Sequence, residues 1–275
     1  MSRKRSAGAG RGLLAAAAAA LLLGAGSVVA ALTLAQQPPS VGSTPPARTP
    51  GPATTGRAPS PASVGPERPA APVPARSEAP VGITATVDAG WADATAAELG
   101  IPARAFRAYA GAPSAVAAEY PDCGLGWNTL AGIGWVESQH GGIHGGELSP
   151  DGQVSPPVIG IALDGSRSAR IRDTDHGELD GDRRWDRAVG PMQFIPSTWR
   201  KWGSDGNGDG VADPQQIDDA VYSAARYLCA AGGDLTRPRN WIAAVAAYNN
   251  SVSYNNLVAD AAEHYAKRAA AQELG

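Results

Sequence analysis

Glu137 closes an apolar, glycine-containing stretch, Gly132-Ile133-Gly134-Trp135-Val136-Glu137-Ser138-Gln139-His140-Gly141. Desolvation favours the neutral form of a carboxyl, which is the form a general acid needs. A lone Glu is ordinarily a solvated surface charge, so this one gains meaning only with companions. A second run, Gly190-Pro191-Met192-Gln193-Phe194-Ile195-Pro196-Ser197-Thr198-Trp199, sets the amide of Gln193 among apolar neighbours beside a helix start at Pro196. That amide can donate to and accept from a sugar or its N-acetyl group, while Met192 and Phe194 read first as core. In the third run, Ala246-Ala247-Tyr248-Asn249-Asn250-Ser251, Tyr248 and Asn249 end a helix and can hydrogen-bond a sugar hydroxyl or a developing charge. The fourth, Asp205-Gly206-Asn207-Gly208-Asp209-Gly210-Val211-Ala212-Asp213, repeats oxygen side chains at every second residue. That is the spacing of an EF-hand-type calcium loop, with Asp205, Asn207 and Asp209 as ligands, Gly210 at the turn and the Val211 carbonyl following it. Gln216 stands where the bidentate Glu of such loops falls, and Asp213 can add a ligand directly or through water.

The elements that must position these groups read as helices. Helical spacing predicts helices over Ala103 to Ala110, from Pro113 to Tyr120, over Trp127 to Ser138, Asp218 to Ala230 and Pro238 to Tyr248, and over Asn256 to Ala270. Gly141 and Gly142 are expected to stop the helix that carries Glu137. The fold class is therefore mainly α. Between Gly142 and Asp186 lies a long segment rich in Gly, Asp, Ser and Pro, expected to form a wall or lid of a cleft, with a small hairpin over Ser155 to Leu163. The two cysteines, Cys123 and Cys229, are expected to pair in an exported protein. His140 and His144 lack the helical frame of a zinc-protease motif, so zinc is not expected.

Upstream, four basic residues within Met1 to Arg11 precede an uncharged, Ala- and Leu-rich stretch from Gly12 to Ala35. Residues 1–35 thus read as a signal peptide or an N-terminal membrane anchor. Residues 36–82 are a Pro/Ala-rich segment expected to be a disordered linker, and residues 83–275 form the folded domain. Eight of the 23 Lys and Arg but only two of the 26 Asp and Glu fall in residues 1–82, leaving the domain acidic. Such a balance argues against a nucleic-acid partner.

Taken in order, Val-Glu-Ser, Gly-Pro-Met-Gln-Phe-Ile-Pro-Ser-Thr-Trp, the Asp/Asn/Gly loop and Ala-Tyr-Asn-Asn-Ser resemble the lysozyme-like lytic murein transglycosylases, B type, in their actinobacterial form, from about Ala103 to Leu257. Gln139 and His140, after the Glu-Ser pair, and the segment Gly142 to Asp186 depart from the commoner pattern. The resemblance implies an exported, monomeric enzyme acting on peptidoglycan glycan strands, without an organic cofactor. It implies that Glu137 protonates the oxygen leaving the β-1,4 bond between N-acetylmuramic acid and N-acetylglucosamine. The carboxylate then takes the C6 hydroxyl proton, and a 1,6-anhydro product closes. It also implies that Asp219 closes the calcium site. Two other readings stay open at this point. One is a hydrolytic muramidase in which Asp173, Asp175, Asp180 or Asp182 activates water, and the other is an inactive wall-binding module.

Overall fold

The computed structural model describes residues 82–166 and 168–272. Its helices are α1 (Ala89–Leu99), α2 (Ala103–Ala117), α3 (Trp127–Ser138), α4 (Pro196–Trp202), α5 (Ile217–Gly232), α6 (Pro238–Tyr248) and α7 (Val252–Gln272). Four short strands, β1 (Glu147–Leu148), β2 (Val154–Ser155), β3 (Ile159–Ala162) and β4 (Arg187–Val189), lie between α3 and α4. The fold is mainly α, as the helical spacing predicts. The segments expected as export signal and linker lie outside the described residues, apart from Gly82. None of the described helices is long and apolar enough to cross a membrane.

Helix α3 is the centre of the packing. Trp135 is exposed, while Thr129, Leu130, Ala131, Gly132, Ile133, Gly134 and Ser138 are all buried. Its two glycines permit this. A Cβ on Gly132 would stand 2.9 Å from the Val258 carbonyl of α7, and one on Gly134 would overlap the Tyr109 hydroxyl of α2. The helix ends at Ser138, as expected, but the residues that turn the chain are Gln139 and His140, ahead of the two glycines. Gln139 caps it at φ 53°, and the His140 amide, also at positive φ, bonds back to the Gly134 carbonyl at 2.9 Å. The His140 ring makes that geometry durable, because the hydroxyls of Tyr109 and Tyr265 hold its two nitrogens at 3.0 and 2.9 Å. Burial pushes this imidazole down to about 4, so it is neutral near pH 7.

Other elements depart from the sequence expectation for identifiable reasons. The two helices expected around Pro113 are one, α2, with the proline inside. The cost of the missing N–H is outweighed by burial of Ala112 and Val116 and by close approach of the Ile83 carbonyl to Gly111. Helix α1 was not foreseen; Asp88 caps it by accepting from the Trp91 amide at 2.7 Å. Helix α7 starts at Val252, a turn before Asn256, and lays Tyr254, Val258, Ala262 and Tyr265 against α3 as a buried stripe. The hairpin expected over Ser155 to Leu163 does not close on itself. Instead β2 pairs back with β1 and β3 pairs forward with β4, since Pro156 and Pro157 offer no N–H for a ladder between the halves.

Among the ties that bind α5 to the rest, two span long stretches of chain. Arg104 of α2 grips Asp218 through two nitrogens at 2.7 and 2.6 Å. Cys123, in the loop before α3, is bonded to Cys229 across 106 residues of chain. In the chain-entropy model a loop of that length is worth about 4 to 5 kcal/mol. Reduction, or the double change Cys123→Ala and Cys229→Ala, is therefore expected to lower Tm markedly in calorimetric scans. A transition unmoved by reductant would show that the bridge constrains nothing.

Candidate active site

The runs around Glu137, Gln193 and Tyr248 are bonded to one another. Ser138, next to Glu137, donates its hydroxyl to the Pro191 carbonyl at 2.6 Å, which ties the end of α3 to the Gln193 run. Tyr248, at the end of α6, donates to the Met192 carbonyl at 2.7 Å and ties in the third. Met192 and Phe194 are buried in the core, as their apolar character suggests.

Together these runs border a cleft of about 580 Å³. Glu137, Gln193, Tyr248 and Asn249 all line it, and so do Leu163, Ala169 and Ile171 from the long insertion. The insertion is thus a wall of the cleft. Gln193, at φ 50°, spends its amide nitrogen on the Gly190 carbonyl at 3.0 Å, so its oxygen is left as an acceptor beside Gly160. The Asn249 side chain makes no hydrogen bond with a described residue and is exposed at the cleft. The Tyr248 hydroxyl, by contrast, gives its proton to the Met192 carbonyl.

Glu137 is the one carboxyl among the described lining residues. Surrounding protein strips water from it and pushes its pKa up to about 7, against the opposing effect of a hydrogen bond from the Tyr254 hydroxyl to Oε1 at 2.6 Å. No cation pairs with it among the described residues. The carboxyl therefore holds or releases a proton near neutrality, which suits a group that must act as acid and then as base. Tyr254 is the functional residue that the sequence reading missed. Its signal was the period Tyr254, Val258, Ala262, Tyr265, which extends the last helix one turn upstream.

None of Asp173, Asp175, Asp180 and Asp182 lines the cleft. They cap their own loop instead. Asp182, for example, accepts from the amides of Arg184 and Trp185, which hold it below the ordinary carboxylate range. The carboxylates of Asp173, Asp175 and Asp186 do lie within 4.8 Å of one another, a grouping the sequence reading did not single out. His140 and His144 form no metal pair, since both His140 nitrogens are occupied and His144 is exposed.

The loop from Asp205 to Asp213 winds around the Asp205 carboxylate, which accepts from the amides of Gly208, Asp209 and Gly210. Gln216 caps α5, accepting from the amides of Asp218 and Asp219, which explains why a side chain of this kind stands there. Asp219 is fully buried and accepts from the amides of Gly206, Asn207 and Asp213. Burial, and after it the nearby Asp205, pushes it up to about 7. The carboxylates of Asp205, Asp209 and Asp219 do not converge as closely as the Asp173 group.

Residues 169–242 match the family described as the transglycosylase SLT domain. That span is about a quarter of the chain and takes in the Gln193 run and the Asp205 to Asp219 loop, while Glu137 and Tyr248 fall outside it. No curated protein and no solved structure matches the chain.

The carboxyl shift is directly measurable. The side-chain carbon resonance of Glu137 is expected to titrate with a midpoint near 7. Tyr254→Phe should move that midpoint higher, because the lost hydrogen bond favoured the ionised form. A midpoint in the ordinary range of Glu in both proteins would show that the carboxyl is solvated.

Proposed function

We propose that the chain is an exported peptidoglycan lytic transglycosylase in which Glu137 serves first as acid and then as base. The observation that carries this reading is a single carboxyl, poised near neutrality, in a cleft whose described lining offers no second one. Two-carboxylate glycosidases need a partner within about 5 to 10 Å across the scissile bond. The acidic side chains that might have served are bonded into their own loop. The matched transglycosylase domain supports peptidoglycan as the substrate, and the order of the four sequence runs supports the B type.

In this reading Glu137 protonates the oxygen between N-acetylmuramic acid and N-acetylglucosamine. The carboxylate so formed, steadied by the Tyr254 hydroxyl, takes the proton of the muramoyl C6 hydroxyl, which closes on C1. Water is not consumed. The Gln193 oxygen and the Asn249 amide are placed to hold sugar amides and hydroxyls. The export segment over residues 1–35 would deliver the enzyme to the wall, either freed or held at the membrane.

Glu137→Gln keeps the shape of the side chain and removes the transferable proton. Turnover should fall by about 10² to 10⁴ for each role lost, with the melting transition retained. Mass spectrometry of soluble products separates the chemistries, since an anhydro sugar is lighter by one water than a hydrolysed end. Hydrolysed ends alone would assign a muramidase, and an undiminished Glu137→Gln enzyme would remove Glu137 from the mechanism.

The same reading includes a structural calcium ion. Asp205, Asn207, Asp209, the Val211 carbonyl and Asp219 would hold it, and the oxygen-only donor set fits a hard cation. Two acidic side chains near each other, Asp219 fully buried and Asp205 nearly so, are the observation that favours it. The ion would offset their repulsion and fix the chain between the Gln193 run and α5. At free calcium a hundredfold above its Kd, binding stabilises by about 2.7 kcal/mol. Chelation should then lower Tm, calcium should restore it, and Asp209→Ala should abolish the difference. Scans indifferent to chelator and calcium would refute the site.

A further inference from the structure

The cleft wall has a second face. Along the stretch 169–172, Ala169 and Ile171 line the cleft, whereas Arg170 and Arg172 alternate to the other side. There they meet Trp185, which sits opposite Arg172 in the antiparallel pairing. The guanidinium carbons of Arg172, Arg170 and Arg184 lie 4.3, 5.3 and 5.8 Å from the Trp185 ring. All three arginines are exposed, and Trp185 beneath them is buried. None of the three side chains forms an ion pair or donates a hydrogen bond to a described residue.

This is unusual company for an acidic insertion. Asp164 stands opposite Arg170 in the pairing and accepts from Ser166, while the carboxylates that follow are bonded within their own loop. Asp173 and Asp175 accept from the amides of Gly177 and Leu179, Asp180 and Asp182 from those of Arg187 and Arg184, and Asp186 from Thr174. Three like charges are thus gathered on one indole with their planar donor forks open to solvent. Cation–π attraction to the ring holds the guanidinium groups close together, and a guanidinium fork matches a carboxylate through two parallel hydrogen bonds.

We propose that this outer face binds carboxylates of the peptide stems that branch from peptidoglycan strands, so that the enzyme holds the polymer on the back of the wall whose front meets the glycan. The inference rests on peptidoglycan being the substrate. Several spaced guanidinium groups suit a polymer that repeats its charges, since each contact raises the effective concentration for the next.

Co-sedimentation tests it, in the Glu137→Gln background so that the polymer survives. The two ligands are stem-bearing peptidoglycan and the same glycan stripped of its peptides, each at low and high salt. The Glu137→Gln protein should hold the stem-bearing polymer about tenfold or more tightly, and salt should erode the advantage. The added changes Arg170→Gln, Arg172→Gln and Arg184→Gln should abolish that preference, and Arg172→Lys alone, which keeps charge without the fork, should reduce it. Equal retention of both polymers, or a preference that survives the triple change, overturns the proposal. Arginine-dependent binding to anionic phospholipid vesicles in place of the polymer would also overturn it and assign a membrane surface, with exposed Ile159 and Ile161 nearby in the insertion. Turnover of a soluble, stem-free glycan by the Glu137 enzyme, with and without the three glutamines, is the control. If no turnover occurs while arginine-dependent retention persists, the transglycosylase reading fails and the surface stands.

Discussion

Holding a half-buried carboxyl at a cleft, with no cation beside it among the described residues, is the constraint around which this domain is arranged. An uncompensated buried charge is costly, and the protein lowers that cost by letting the group stay protonated near neutrality and by granting it one hydroxyl donor. Such an environment demands a helix packed closely by its neighbours along its middle. Gly132 and Gly134 allow α7 and α2 to close on α3, and Ser138 and Tyr248 then pin the other cleft segments to the position that Glu137 takes up.

The acids in this chain show how desolvation can outweigh hydrogen bonding, since Asp219 is raised in spite of three amide donors. Glu137 is stripped of water, and its pKa rises against its one hydroxyl donor; Asp182, nearer to solvent, accepts from two amides and the Arg187 guanidinium, and its pKa falls. Both residues are acidic letters in the sequence. Only the surroundings make one a proton donor and the other a loop cap.

That difference also sets what could be read from sequence. The runs around Glu137, Gln193 and Tyr248 were legible because each couples a polar residue to a distinctive apolar or helix-ending context, and the structure brings all three to one cleft. The Asp205 loop repeats oxygen side chains at every second residue, but spacing alone does not say how nearly those oxygens converge. Tyr254 was hidden because a helix start is a local matter of a few residues, whereas its value comes from a contact with a group 117 positions away. The continuity of α2 through Pro113 was hidden for the same reason, since the compensation comes from Ile83 and the core. The matched domain span, ending before Tyr248, likewise sees one part of a cleft that is assembled from distant segments.

Ile83 also bears on mechanics. Its amide bonds to the Gly206 carbonyl at 2.8 Å, its side chain is buried, and its carbonyl fits the gap left by Gly111. Tension carried along the chain from the residues before Gly82 therefore enters the domain at the Asp205 loop and α2. Those elements are braced to α5 by the Arg104–Asp218 pair and, through the loop that follows α2, by the disulfide. Helix α2 also reaches the end of α3 through the Tyr109–His140 hydrogen bond, so the anchorage of Ile83 and the position of Glu137 share one scaffold.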